Sequence, residues 1–170
     1  IGFKSNFTIL DTDDQKKLIK KICEAENIDA KKISPQFIIS FIDNWKNKGL
    51  TIIAGIEARG FITGSIIANQ LSLPFVPIRK KGKLPYDTLS QDYELEYGKA
   101  TIEIHSDALN SDDNVLIVDD LIATGGTALA SIELIKKLGA NVIGCTFIID
   151  LPELGGRKKI EDNGIEVQAL

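Results

Sequence analysis

The rhythm of apolar positions changes at Gly49. Before it they recur at helical spacing. Leu18, Ile19, Ile22 and Cys23 share one face of a segment that opens with Thr12 as cap and Asp13 and Asp14 in its first turn, which predicts an amphipathic helix from Thr12 to about Glu26. A second helix begins with Ser34 as cap and Pro35 at its first position, places Phe37, Ile38, Phe41, Ile42 and Trp45 on one face, and stops at Gly49. Those aromatics suit a core face better than a ligand. After Gly49, short β-rich runs alternate with helical ones: TIIAGI, Gly60 to Leu71, PFVPI, NVLIVDD, Thr127 to Leu138, and NVIGCTFIID. Such alternation predicts an α/β fold, a twisted and mainly parallel sheet with helices on both faces. Arg79 to Tyr97, basic at its start and acidic at its end and carrying Gly82 and Pro85, reads as one long loop of the kind that serves as a lid.

Composition narrows the class. The chain has 170 residues, 44% hydrophobic and 26% charged, which suits one globular domain with its own core. A net charge of −4 opposes a general nucleic-acid or membrane-surface binder but leaves room for a local cationic pocket. Cys23 and Cys145 have no Cys or His neighbours at metal-ligand spacing and read as buried free thiols, hence a reducing cytoplasm. No apolar run reaches the roughly 20 residues of a membrane span, and no export signal is expected.

The chemistry concentrates in VLIVDDLIATGGTALAS. A buried strand, Val115 to Val118, ends in Asp119 and Asp120; a turn, Ala123 to Thr127, then opens a helix. Glycines let the main chain approach an anion closely, so the N–H groups of Thr124, Gly125, Gly126 and Thr127 can converge on a phosphate at the positive end of that helix. Carboxylates at the carboxyl edge of the sheet, Asp119 and Asp120, are placed to hold ribose hydroxyls or the water shell of Mg²⁺. Paired Asp or a lone GG would each be weak evidence; their combination at this spacing points to a sugar phosphate. The P-loop and dinucleotide fingerprints are both absent.

VLIVDDLIATGGT resembles the motif with which type I phosphoribosyltransferases bind phosphoribosyl pyrophosphate (PRPP). AGIEARGF at 54–61, PFVPIRKKGKLP at 74–85 and YELEYGKATIEIH at 93–105 resemble the adenine phosphoribosyltransferase family in the same order, and with GGRKKI the likeness covers about residues 50 to 170. The resemblance implies the type I phosphoribosyltransferase fold with a flexible lid loop. It implies transfer of phosphoribosyl from PRPP to adenine, giving AMP and pyrophosphate, with Mg²⁺ as cofactor and a homodimer as the working form. By the same likeness, Ala58 and Arg59 receive pyrophosphate after a cis Glu57–Ala58 peptide. Arg79, Lys80 and Lys83 bring positive charge over PRPP, Glu96 handles the adenine proton, Tyr97 packs at the closing loop, and Ala123 to Thr127 cradle phosphate. A carboxyl group shielded by a closed lid has the raised pKa such a role needs. His105, the single histidine, reads as structural.

The chain departs from the family at its start. No segment like PGIxFxDIT, which in the family helps form a hood over the base, is present. Residues 1 to about 50 instead resemble an internal piece of a UvrD-type DNA helicase, through NFTILDTDDQ and IDNWKNKGLT. The expected organisation is a helical N-terminal segment, 1–50, followed by a transferase domain, 51–170. Without a P-loop, helicase activity does not follow. Two alternatives to the enzyme remain open at this point: a catalytically impaired hybrid, and a PRPP- or purine-sensing binding protein of the same fold. A DNA-interacting fragment is opposed by the acidic balance.

Overall fold

The computed structural model describes residue 17, residues 43–95 and residues 98–169. Most of both expected N-terminal helices, and Cys23, lie outside these residues; Lys17 and Asp43 to Lys46 are helical. The chain divides into two units, Ile1–Trp45 and Lys46–Leu170, and the second carries the sheet.

Two strands set the frame. The run β1 (Ile52–Ile56) is buried along its whole length, as is β5 (Asn114–Val118) after its first residue. Strands apolar at every position belong in the middle of a parallel sheet covered on both faces. They pair in parallel, from Ile52 opposite Val115 to Gly55 opposite Val118. Beyond them lie β2 (Phe75–Lys80) on one side, and β7 (Asn141–Phe147) and β9 (Glu166–Ala169) on the other, all parallel. The antiparallel strands β4 (Gly98–His105) and β3 (Thr88–Leu95) extend the β2 edge, giving the order β3-β4-β2-β1-β5-β7-β9. A separate pair, β6 (Leu121–Ile122) and β8 (Ile149–Asp150), sits just past the ends of β5 and β7.

Helices cover both faces. In α1 (Gly60–Leu71) the buried positions are Gly60, Gly64 and Ala68, small enough for the helix to lie close to β1. A Cβ on Gly55 would come within 2.8 Å of the Gly60 carbonyl, so this approach depends on glycine. In α2 (Gly126–Lys137) Ile132, Leu134 and Ile135 are buried in the same cluster as Ile52, Ala54 and Ile56. Since Gly55 faces α1 and its neighbours Ala54 and Ile56 face α2, the two helices lie on opposite faces, as the alternation predicts. Gly139, at φ 88°, follows the end of α2.

The segment Arg79 to Tyr97 is not one long loop. Arg79 and Lys80 finish β2, and after a short turn β3 pairs with β4 from Thr88 opposite His105 to Leu95 opposite Gly98. The strand has a period of two: Leu89, Gln91 and Tyr93 are half-buried while Ser90, Asp92 and Glu94 are exposed. Polar residues outward and only a partial apolar face inward gave this strand the look of a loop.

Candidate active site

The carboxyl ends of β1 and β5 lie side by side and carry the two turns of the site. After β5, the Asp119 N–H donates to the Thr146 carbonyl at 3.1 Å, and the Asp120 N–H donates to Asp119 Oδ1 at 2.9 Å. The chain then passes through β6 into Ala123, Thr124 and Gly125. Gly125 has φ 81°, the left-handed region that favours glycine, and α2 starts at the next residue with no side-chain cap and no acid in its first turn. An uncapped helix start with flanking N–H groups is an anion site in waiting. The cavity there is about 150 Å³ and is lined by Asp119, residues 121–128 and Phe147. The structure thus places Asp119, Ala123, Thr124, Gly125, Gly126 and Thr127 around one cavity.

After β1 comes the Glu57–Ala58 peptide, which is cis, as the resemblance implies. Arg59 follows at the start of α1, and its exposed guanidinium pairs with the Asp120 carboxylate across the two turns. The pairing depends on the close fit of α1: a Cβ on Gly60 would lie 2.5 Å from the Val118 carbonyl. The two aspartates differ sharply. Burial pushes the Asp119 carboxyl up to about 7, aided by the charge of Asp120 beside it. Burial acts in the same sense on Asp120, but the Arg59 guanidinium and a hydrogen bond with Asp119 outweigh it and hold that carboxyl below its ordinary value. The neighbours therefore divide into one acid that readily keeps a proton and one that is firmly ionised.

The basic turn after β2 is held by two carboxylates that the sequence reading passed over. Glu57 accepts from Arg79 Nε at 3.3 Å, from Arg79 Nη2 at 3.4 Å and from the Lys80 N–H at 3.0 Å. Glu103, 4% exposed, accepts through Oε1 from the N–H groups of Lys83 and Leu84, both at 2.9 Å. Burial works against ionisation of each, yet backbone N–H groups, and for Glu57 the Arg79 guanidinium, hold both carboxyls below the ordinary range. Arg79 also donates from Nη1 to the Lys83 carbonyl at 2.9 Å, so it is tethered within the turn, while the side chains of Lys80, Lys81 and Lys83 are exposed. Glu57 stands in AGIEARGF, just past the end of β1, and Glu103 in EIH, inside β4; a carboxylate beside an apolar strand run was the available signal.

Glu96 and Tyr97 lie outside the described residues; Leu95 and Gly98, which flank them, are paired. The described end of β3 adjoins the phosphate turn, since a Cβ on Gly126 would lie 3.3 Å from the Glu94 carbonyl and 3.6 Å from the Tyr93 ring. His105 is at the end of β4 with Nε2 buried and lacking a hydrogen-bond partner. Cys145 is a free thiol in the core, pushed up to about 12 by burial, which leaves it unreactive. Among the described residues, no group of three or more His, Cys, Asp and Glu could hold a metal, and no helix is long and apolar enough to cross a membrane. Gly156 and Lys159, which lie in GGRKKI and to which the sequence reading assigned no role, touch the back of the Ala123–Thr127 turn.

With this geometry in place, comparison with known proteins is specific. The family model for the phosphoribosyl transferase domain matches residues 24–168, so the match reaches well before residue 51, where the transferase domain was expected to start, and the comparisons lend no support to the expected helicase likeness of residues 1–50. The adenine phosphoribosyltransferase of Dinoroseobacter shibae is 64% identical over 118 residues, 69% of this chain and 66% of that protein. That of Maricaulis maris is 60% identical over 129 residues, 76% of this chain and 74% of the relative. The chain thus spans just under two thirds of the first relative's length and about three quarters of the second's. Among solved structures, the adenine phosphoribosyltransferase of Rhodothermus marinus superposes with a TM-score of 0.72 at 45% identity, covering 81% of this chain and 82% of that one. The Saccharomyces cerevisiae enzyme, crystallised with an imino-altritol bisphosphate and adenine, superposes with a TM-score of 0.67 at 37% identity, covering 81% and 80%.

Proposed function

The chain belongs to the phosphoribosyl transferase domain family, and from that premise we propose that it is an adenine phosphoribosyltransferase of purine salvage, joining adenine to the ribose of PRPP and releasing pyrophosphate. The observation that carries the reading is the junction of two turns at the carboxyl edge of β1 and β5. The uncapped start of α2 receives the ribose phosphate, and Arg59, across from Asp120, receives the pyrophosphate. Asp119 and Asp120 hold the ribose hydroxyls between them.

The reaction passes through a cationic, oxocarbenium-like sugar as the bond to pyrophosphate breaks, so the site must stabilise charge on the leaving group. Arg59 does this once the diphosphate replaces Asp120 as its partner. Lys80 and Lys83 add exposed positive charge from the basic turn, which Arg79 braces from within. Glu96 holds a proton at the nitrogen of adenine opposite the one that attacks the sugar. Two neighbouring carboxylates fit a magnesium ion that arrives with PRPP, since Mg²⁺ is commonly held by one or two carboxylates plus substrate phosphates; Asp119 and Asp120 would hold it, and it would neutralise diphosphate charge. A homodimer and a cytoplasmic location complete the reading; the first rests on the family and the second on the free thiol of Cys145. PRPP and adenine are its partners, and neither a membrane nor nucleic acid is among them.

The decisive experiment is pyrophosphate release from PRPP in the presence of adenine, guanine or hypoxanthine. Release with adenine alone is expected. Binding of PRPP without release would favour the alternative of an impaired or sensing protein, which is motivated by the missing PGIxFxDIT segment. A version whose first ~50 residues are replaced by such a hood would then show a higher kcat/KM for adenine at similar PRPP affinity, because a pocket lacking one wall loses buried contact and admits water. The helicase-like phrases of residues 1–50 carry no activity in this reading.

A further inference from the structure

The short helix α3 (Gly156–Glu161) lies behind the phosphate turn, and the two backbones meet with no side chain between them. The Gly156 N–H donates to the Ala123 carbonyl at 3.0 Å. A Cβ on Gly156 would lie 2.3 Å from that oxygen, 2.6 Å from the Gly125 nitrogen and 2.8 Å from the Thr124 carbonyl carbon. All three are main-chain atoms of the loop, which cannot swing aside as a side chain would. Gly156 does not have a positive φ, so what excludes a side chain is the loop itself. From the other direction, a Cβ on Gly125 would lie 3.0 Å from Gly156 Cα. One turn further on, exposed Lys159 donates from Nζ to the Thr124 carbonyl at 3.1 Å.

These contacts set the direction of the loop's peptide planes. In a trans peptide the N–H points opposite to the C=O. Holding the Ala123 and Thr124 carbonyls on the α3 side turns the N–H groups of Thr124 and Gly125 away from it, and nothing of α3 lines the cavity. The brace is itself firmly set. Ile160 is fully buried, and Arg157 reaches Glu161 at 2.8 Å, Asp150 at 3.5 Å and the Val167 carbonyl at 3.1 Å.

We infer that Gly156 and Lys159 are positioning residues for the reaction: they grip the phosphate loop from behind and aim its N–H groups at the phosphate of PRPP. The inference rests on the PRPP reading above. Its test measures PRPP affinity by calorimetry in the presence of Mg²⁺, melting temperature, and KM for both substrates, in wild type, Lys159→Met, Lys159→Arg and Gly156→Ala. Lys159→Met is expected to weaken PRPP binding about fivefold, with the melting temperature and the KM for adenine nearly unchanged, since a hydrogen bond from a charged donor is lost at an exposed site. Lys159→Arg, which keeps a cationic donor, should return PRPP affinity to within about twofold. Gly156→Ala, where it folds, should weaken PRPP binding at least tenfold. PRPP affinity within twofold of wild type in Lys159→Met, or an arginine variant as weak as the methionine one, would overturn the role of Lys159. A folded Gly156→Ala with wild-type affinity would overturn the role of Gly156. A wild-type protein that takes up no PRPP would instead sink the functional reading, and the inference with it.

Discussion

Between Asp119 and Thr127 the chain is held mainly by backbone: the Asp119 N–H on the Thr146 carbonyl, the Ala123 carbonyl on the Gly156 N–H, and a left-handed glycine at 125, with Lys159 adding one side-chain bond to the Thr124 carbonyl. Between Lys80 and Leu84 two carboxylates do most of the holding: Glu57 and Glu103 gather the N–H groups of Lys80, Lys83 and Leu84, beside backbone bonds from the Lys81 N–H to the Thr101 carbonyl and from the Lys83 N–H to the Lys80 carbonyl. The first turn joins parallel strands through a buried frame, the second lies at the antiparallel edge with its lysines exposed. A backbone-held loop keeps its donors fixed and excludes side chains. A turn held mainly by carboxylates depends on two charges, and a change at either loosens it. The phosphate turn is therefore the fixed half of the site and the basic turn the adjustable half.

That contrast is most exposed at Gly125. Gly125→Val puts a β-branched residue at φ 81° and against Gly156, so PRPP binding should be abolished; unchanged affinity in calorimetry would break the idea that this loop is fixed by glycine. Asp120→Asn should likewise abolish PRPP binding, by removing a carboxylate that holds the ribose hydroxyls in the proposed reading; the gain from freeing Arg59 of its partner is too small to offset that loss. Next in size, Glu96→Gln should lower turnover ~10²-fold while sparing PRPP affinity, because general acid–base groups commonly contribute that much. Full turnover with adenine in this variant would remove Glu96 from the chemistry.

On the adjustable half the effect should be smaller and of a different kind. Glu103→Ala leaves the Leu84 N–H without its acceptor and the Lys83 N–H with only the Lys80 carbonyl at 3.2 Å, which is expected to cost about 1–3 kcal/mol, tempered by water reaching the turn. The melting temperature should fall by several degrees and the KM for PRPP should rise, with adenine KM little changed. If adenine KM rises as much as that for PRPP, the turn is not a PRPP element.

The smallest effect concerns pH. A carboxyl raised from 3.8 to about 7 binds its proton more tightly in the folded protein, so Asp119 lowers stability as pH rises from about 4 to about 7. Glu57, Glu103 and Asp120 are shifted the other way, so their contribution is present above the ordinary carboxylate range and is lost as pH falls. Melting curves of wild type and Asp119→Asn, measured across that interval, should differ in slope, with the variant losing less stability, or gaining more, as pH rises. Parallel curves would show that Asp119 is not shifted.

The fixed half was the legible half. VLIVDD announces a buried strand because no polar residue interrupts it, and ATGGT announces a turn because glycines serve there for a reason of backbone geometry. β1 and α2 were readable on the same grounds, and the cis peptide came from the likeness of AGIEARGF. The adjustable half was obscured: among the residues of β3 whose side chains are described, only Leu89 and Tyr93 pack on the core, and the outward Ser90, Asp92 and Glu94 resemble a solvated loop. Glu57 and Glu103 look like surface acids until the strands bring them under the turn. The grip of Lys159 on Thr124 spans 35 positions, and the pairing of Arg59 with Asp120 spans 61, so neither has a local pattern to betray it.

Those long spans also bear on how the molecule reaches its native state. β1 meets β5 only after β2, β3 and β4 have been made, and the phosphate loop gains its brace only when residues 156 to 159 have been added. Contacts of such separation carry the loop-closure cost before they give anything back, and chains built on them fold slowly. A nascent or partly folded chain therefore has no half-strength site to offer. In the proposed reading PRPP would recognise the finished sheet alone, and at about a hundred times its dissociation constant it would favour that sheet by ~2.7 kcal/mol, so PRPP is expected to raise the melting temperature of the protein.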